Sequence, residues 1–321
     1  MLAVFLFHAR VDWAQGGLGG VSVFFALSGF LITRNLLHEF GRSGTIRLGE
    51  FWWRRVRRLL PASIIAVAVS AVVAIASDIP VRAIEVTASV TGWKNWQYLT
   101  DFSYSDIFVI WWSLAVEEQY YLVYPLLLLL FLALARRTQR TRSPLVAIAL
   151  GLLALASFVT LLALSRAGSE VQAYYGTHSR IWEVLLGCLL AVAGGFPRML
   201  RLPTWCSAAL ILIAISSLGV HSASWWMPPV RTVIVIVGTL QLIDALGRSP
   251  ESAIARALGS RPVRFVGIVS YEVYLLHYAV IVAVQHLDWT SSLLVPLELG
   301  ITIVAAYALH RLVAPLRAPS R

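Results

Sequence analysis

Long apolar runs recur along this chain, separated by short breaks in which Arg, Gly, Ser and Pro gather. Ten such runs can be read, over residues 1–9, 20–38, 59–79, 111–134, 145–165, 178–195, 205–220, 229–246, 265–286 and 292–313. Most approach the roughly 20 residues that a helix needs to cross a hydrocarbon layer about 30 Å thick. The pattern predicts an all-α, polytopic transmembrane helix bundle of about ten spans. No hydrophilic stretch is long enough to fold by itself, so residues 1–321 are expected to form a single membrane domain. The first run is anomalous, because nine residues reach only about 13 Å as a helix. It is expected to be a truncated span, its start lying upstream or the chain being a shortened form. The stretch 84–100 mixes apolar residues with Glu85 and Lys94 and is expected to be re-entrant or interfacial.

Charge orients this pattern. If the first run goes from inside to outside and the spans alternate, seven basic residues between Arg34 and Arg58 lie inside, with four in 136–142. Arg198, Arg201, four residues between Arg248 and Arg264, and three at the C-terminal end join them. That places 20 of the 26 basic residues on one side, so both termini are expected in the cytoplasm. Counting 84–100 as a span would reverse everything after it and send RRTQRTR outside.

Composition agrees with a lipid environment. Hydrophobic residues make up 59% of the chain and charged residues only 13%, about half the usual share of a soluble domain, and the mean hydropathy is +0.76. A net charge of +10 would otherwise point to nucleic acid, but basic cytoplasmic loops account for it. Cys188 and Cys206 fall in or beside apolar runs and support neither a disulfide framework nor a zinc site. No Walker loop, HExxH motif or strand-bound dinucleotide fingerprint occurs, so no metal is expected, and the opening MLAVFLFHAR has no basic leader region.

Ionisable groups inside spans are costly and therefore candidates for function. They are His8 at the end of the first run, Glu117 and Glu118 in WWSLAVEEQYYLVYP, Glu183 in RIWEVLLG, and His277 in SYEVYLLHY. From the run boundaries, Glu117 lies about 9 Å and His277 about 14 Å below the outer surface. An imidazole can take a proton from an alcohol near neutral pH, and a carboxylate beside it can fix its tautomer. For His277 a packing or hydrogen-bonding role is expected. Arg54, Arg55, Arg57 and Arg58 in FWWRRVRRLLPA can fork onto phosphates or anchor on anionic lipid, the latter being the commoner use of such a cluster. Ser28 in FFALSGFLIT stands at mid-span beside Gly29, where a small polar residue usually serves helix packing.

Five blocks then make the chain recognisable: FLFHA, GGLGGVSVFFALSGFLIT, FWWRRVRRLLPA, WWSLAVEEQYYLVYP and SYEVYLLHYAVI, in that order. YYGTHSRIWEVLLGCLLAV adds a segment built around an Arg. The chain resembles the acyltransferase-3 family of integral-membrane O-acyltransferases nearly end to end. The resemblance implies a ten-helix bundle in the cell membrane that moves an acyl group, commonly acetyl, from cytoplasmic acyl-CoA to a hydroxyl of a sugar, lipid-linked glycan or macrolide. It places the family's essential His on His8, its basic CoA-facing motif on Arg54, Arg55, Arg57 and Arg58, its Ser-Gly-Phe motif on Ser28, Gly29 and Phe30, and its acidic pair on Glu117 and Glu118. Two positions depart from it. The Arg that precedes the family's His has no counterpart, since Met1 stands seven residues before His8, and Ala314 occupies a place where Glu is usual. No esterase-like soluble domain follows, which reads as a stand-alone form. The residues thus suggest catalysis by His8, Glu117, Glu118 and Ser28 with acyl-CoA as co-substrate and membrane lipid as surroundings. The alternatives are a proton-coupled transporter or flippase and an inactive, shortened family member.

Overall fold

The computed structural model describes residues 1–101, 106–136, 144–216, 227–287 and 293–317, and among them there are helices and no strand. The chain opens with α1 (Leu2–His8) and a 3₁₀ segment, Asp12–Leu18. Then come α2 (Gly19–Ser43) and α3 (Leu48–Ala76), joined through Gly44, whose φ of 74° favours a residue without a Cβ. Residues 84–100 form two short helices, α4 (Ala83–Val90) and α5 (Lys94–Thr100), neither long enough to cross a bilayer. Arg82 fastens them at their outer ends, donating to Asp101 at 2.6 Å and to Glu85 at 3.5 Å, and the Asp101 bond raises its pKa. Next are α6 (Trp111–Arg136), α7 (Pro144–Arg166), α8 (Glu170–Tyr175), α9 (Thr177–Ala193), α10 (Thr204–Ser216) and α11 (Met227–Arg248). The chain finishes with α12 (Ala253–Leu258), α13 (Arg261–Ile268), α14 (Ser270–Gln285) and α15 (Leu294–Arg317).

Over the described residues nine of the ten apolar runs fall each on one helix, and the run 265–286 falls on two, α13 and α14. Six of them, α2, α3, α6, α7, α11 and α15, are long and apolar enough to cross a membrane, and a seventh span arises if α13 and α14, bent by 70°, are taken together. The other runs, α1, α9 and α10, are shorter than the full thickness requires. Segment 137–143 and Arg321, which helped to orient the chain, lie outside the described residues, as do 217–220 of the seventh run and 292 of the tenth.

The outer surface shows why this bundle belongs in lipid. On α7, Val146, Leu150, Ala154 and Leu161 are buried, while Leu145, Ile148, Leu152, Leu155 and Val159 are exposed. Similar bare apolar flanks run along α3, α6 and α15. Exposed apolar surface on this scale is a liability in water and the ordinary boundary of a protein in hydrocarbon. This is a multi-pass membrane protein.

Without a hydrophobic force between helices in lipid, close packing must come from small residues. The most extensive contact is between α2 and α9. There a Cβ on Gly29 would lie 2.0 Å from the Val184 carbonyl oxygen, and one on Gly187 2.1 Å from that of Ala26. The two backbones meet through these glycines, so the Gly of SGF sets the position of α2. A buried charge also joins helices. Glu272, fully buried on α14, accepts from Arg317 and lies 3.1 Å from His310, tying α14 to the end of α15.

Candidate active site

His8 is the last residue of α1, and the chain turns away immediately after it through Arg10, which takes a φ of 59°. The glycine-rich loop makes that turn possible. A Cβ on Gly17 would stand 2.0 Å from the Ala3 carbonyl oxygen and one on Gly20 2.7 Å from Val4, so the loop folds back flat against α1. The His8 ring is half-buried, with Tyr278 5.0 Å and Phe7 5.3 Å from it edge to face. Its Nδ1 lies 3.0 Å from Nε2 of His277, a side chain with no exposed surface. The carboxylate partner expected for His8 from the sequence, Glu117 or Glu118, does not occupy that place; His277 does.

Glu117 is instead the centre of a second cluster. Ser28 Oγ donates to its Oε1 at 2.8 Å and Tyr121 OH to its Oε2 at 2.7 Å. Arg55 packs over the rings of Tyr121 and Phe51, 5.2 and 5.4 Å from their centroids, and Arg55 and Arg58 both act electrostatically on Glu117. The four arginines therefore divide. Arg54 turns to Glu50 at 3.2 Å and Glu39 at 3.7 Å, and Arg57 lies over Trp53, while Arg55 and Arg58, three residues apart on one helical face, look toward the carboxylate. This corrects the depth inferred from run boundaries. Helix α3 begins at Leu48, not at 59, so the arginines ride inside its early turns and meet α6 at the level of Glu117. Trp52 Nε1 confirms that level by donating to the Tyr121 carbonyl at 3.0 Å.

Glu118 faces another way. Its carboxylate sits where a Cβ on Gly92 would be, 2.3 Å from Oε2, at the left-handed turn between α4 and α5. Its neighbour Gln119 donates to the Gly92 carbonyl and to Asn95, both at 2.9 Å. The pair of short helices α4 and α5 is thus pinned to the same turn of α6 that carries Glu117.

The two clusters face each other across α6 and α14. Ser113, Glu117 and Tyr121 recur every four residues on α6 and so share a face. Ser113 Oγ lies 2.6 Å from Tyr274 OH, and the Tyr274 carbonyl lies 2.6 Å from Nδ1 of His277. Ser113 and Tyr274 thus stand between the two clusters, the Tyr274 hydroxyl on Ser113 and its backbone carbonyl on His277.

Glu183 joins neither cluster. It lies 2.7 Å from Arg180, whose guanidinium also donates to Ser22 at 3.3 Å and packs over Tyr174 and Trp112. Both charges are buried and answer each other, a structural pair whose i, i+3 spacing is visible in RIWE. Burial also pushes the Tyr174 hydroxyl, on the short helix α8, up to about 12. Tyr121, Ser113 and Tyr274 carried no signal of their own in the sequence, although each stands three or four residues from one of the intramembrane ionisable groups. A cleft of about 380 Å³ lined by Arg34, His38, Leu132 and Val192 among others shares no residue with the site. Among the described residues no three His, Cys, Asp or Glu side chains gather as a metal ligand set.

With this geometry in view, the comparisons decide the family. A family described as "Acyltransferase domain" matches residues 1–311. The chain belongs to this acyltransferase family. Peptidoglycan O-acetyltransferase OatA of Listeria monocytogenes is 33% identical over 88% of this chain and 47% of its own length. O-acetyltransferase OatA of Staphylococcus aureus is 31% identical over 89% of this chain and 49% of its own. YrhL of Bacillus subtilis is 32% identical over 99% of this chain and 53% of its own. The acyltransferase domain thus spans about half the length of these relatives. No solved structure matches it.

Proposed function

We propose that this acyltransferase domain moves an acyl group, acetyl first of all, from acyl-CoA at the cytoplasmic face of the cell membrane to a glycan hydroxyl beyond it. The observation that carries the reading is that one bundle holds Arg55 and Arg58, suited to phosphates, beside the Ser28–Glu117–Tyr121 cluster, and a half-buried imidazole, His8, hydrogen-bonded to His277. The peptidoglycan named for the Listeria monocytogenes and Bacillus subtilis relatives is the first acceptor to test, with macrolides as a second class.

In this reading the arginines hold the donor's phosphates, and His8 takes the proton of the acceptor hydroxyl. The hydroxyl oxygen bonds to the acyl carbon, the carbon–sulfur bond breaks, and the proton passes to the departing thiolate, leaving an ester and free CoA. A thioester is already activated, and positioned proton transfer contributes about 10²–10⁴-fold. The Ser28–Glu117 bond supports a second route, in which Ser28 carries the acyl group between donor and acceptor. The same buried ionisable groups also suit a proton relay in a transporter, a reading without acyl product.

The test is acyl-CoA turnover in membranes holding the chain, with peptidoglycan fragments and macrolides as acceptors and the product read by mass. His8→Ala is expected to lower kcat by at least about 10²-fold at unchanged protein level, and normal turnover in that variant would refute the role of His8. Loss of turnover in Ser28→Ala with an otherwise intact fold favours the relay.

A further inference from the structure

We propose that His277 is the positioning residue of His8, holding that ring in the tautomer whose Nε2 lone pair faces the acceptor. The inference rests on the reading of His8 as base and adds the device that makes it one. Sequence alone gives His277 a packing or hydrogen-bonding role. The geometry of its hydrogen bonds gives that role a purpose.

A carbonyl oxygen can only accept. His277 Nδ1 lies 2.6 Å from the Tyr274 carbonyl oxygen one turn back on α14, so Nδ1 carries a proton and donates it. In a neutral imidazole the other nitrogen is then an acceptor. That nitrogen, Nε2, faces His8 Nδ1 at 3.0 Å, so His8 Nδ1 must be the donor. Each nitrogen in the chain of bonds is thereby assigned, and the lone pair left over sits on His8 Nε2.

Three features make this more than a contact. His277 has no exposed surface, so it cannot meet a substrate itself and can act on one only through His8. His8 is half-buried, and the ring is wedged between Tyr278 and Phe7, which leaves the hydrogen bond to choose the tautomer and not the rotamer alone. When His8 Nε2 takes the hydroxyl proton, its Nδ1–H still points at a neutral acceptor, so the imidazolium gains a stronger, charge-assisted bond at the moment it forms. A carboxylate does this in hydrolytic triads, where loss of the tautomer-fixing partner costs up to about 10⁴-fold in kcat. Here a second histidine serves, and no buried anion has to be stabilised beside it.

The test is a double-substitution cycle in membranes containing the full chain, with kcat and the KM for acyl-CoA measured separately. His277→Phe keeps a ring of similar volume and removes the acceptor; it is expected to lower kcat about 10²-fold and leave that KM within twofold. His277→Gln, whose side-chain oxygen can accept near the old Nε2 position, is expected to recover at least tenfold of the loss. In the His8→Ala background His277→Phe is expected to cost nothing further, because the two residues act as one unit. The proposal is overturned if His277→Phe retains kcat, if the two losses multiply, or if His277→Phe is impaired while His8→Ala turns over normally. If His277→Phe fails to accumulate, His277→Gln is compared with His277→Leu at matched protein level; a faster Gln variant supports the proposal and equal rates overturn it. A failed His8 base is read directly in the His8→Ala arm, separate from a failure confined to His277.

Discussion

Gly29→Ala tests whether the site depends on how closely α2 and α9 approach. The new Cβ would stand 2.0 Å from the Val184 carbonyl oxygen and 3.2 Å from the Cys188 amide nitrogen, where ordinary contact begins at 3.4 Å. Backbone cannot swing aside as a side chain does, so the helices must part locally by more than about 1 Å. Overpacking of this kind typically costs about 1–3 kcal/mol. Removing a glycine from a helix interior returns up to about 1 kcal/mol, leaving a net loss of roughly 1–2 kcal/mol. At about 2–4 °C per kcal/mol the melting temperature should fall by a few degrees. The neighbouring Ser28 carries the 2.8 Å bond to Glu117, and a shift of about 1 Å takes that bond past the length at which it still holds. Turnover should therefore drop by about tenfold or more as well. The assay is thermal unfolding of the detergent-purified protein, paired with acyl transfer in membranes. Gly151→Ala on α7 is the control, since its Cβ would meet nothing within 4 Å; it should leave the melting point unchanged or raise it. A Gly29→Ala protein that melts and turns over like the wild type would show that α2 and α9 are not locked at this glycine.

Two further outcomes are expected. Arg55→Lys and Arg58→Lys should each raise the KM for acyl-CoA by about tenfold, because Lys keeps the charge and loses the planar fork. Arg54→Lys, at a residue already engaged by Glu39 and Glu50, should change it less than twofold, and unchanged kinetics in Arg55→Lys and Arg58→Lys as well would make the cluster a lipid anchor. With both termini inside, an impermeant thiol reagent applied to intact cells should modify Ala167→Cys and leave Ser43→Cys untouched, both sites being exposed in the fold. Labelling of Ser43→Cys alone would invert the orientation.

The sequence by itself determined the class of protein and the location of its helices. Length and apolarity of a run are local properties, and a helix in hydrocarbon satisfies its own backbone, so each run could be assigned without knowing its neighbours. It also determined which side chains were worth watching, because a charge or imidazole in such a run is costly wherever it packs. Helix ends were less legible: α3 starts in a polar stretch, Leu48–Arg58, that hydropathy discounts, and this misplaced Arg55 relative to Glu117. Only the tertiary structure decided who meets whom. His8 and His277 come from opposite ends of the chain, and Ser28 and Glu117 from helices whose relative height no periodicity records. Those pairings depend on backbone approach at Gly29 and Gly187 and on the fold-back of the Gly17–Gly20 loop over α1. Such contacts are set by the absence of a side chain, which shows in a sequence as a glycine and nothing about the carbonyl it is there to admit.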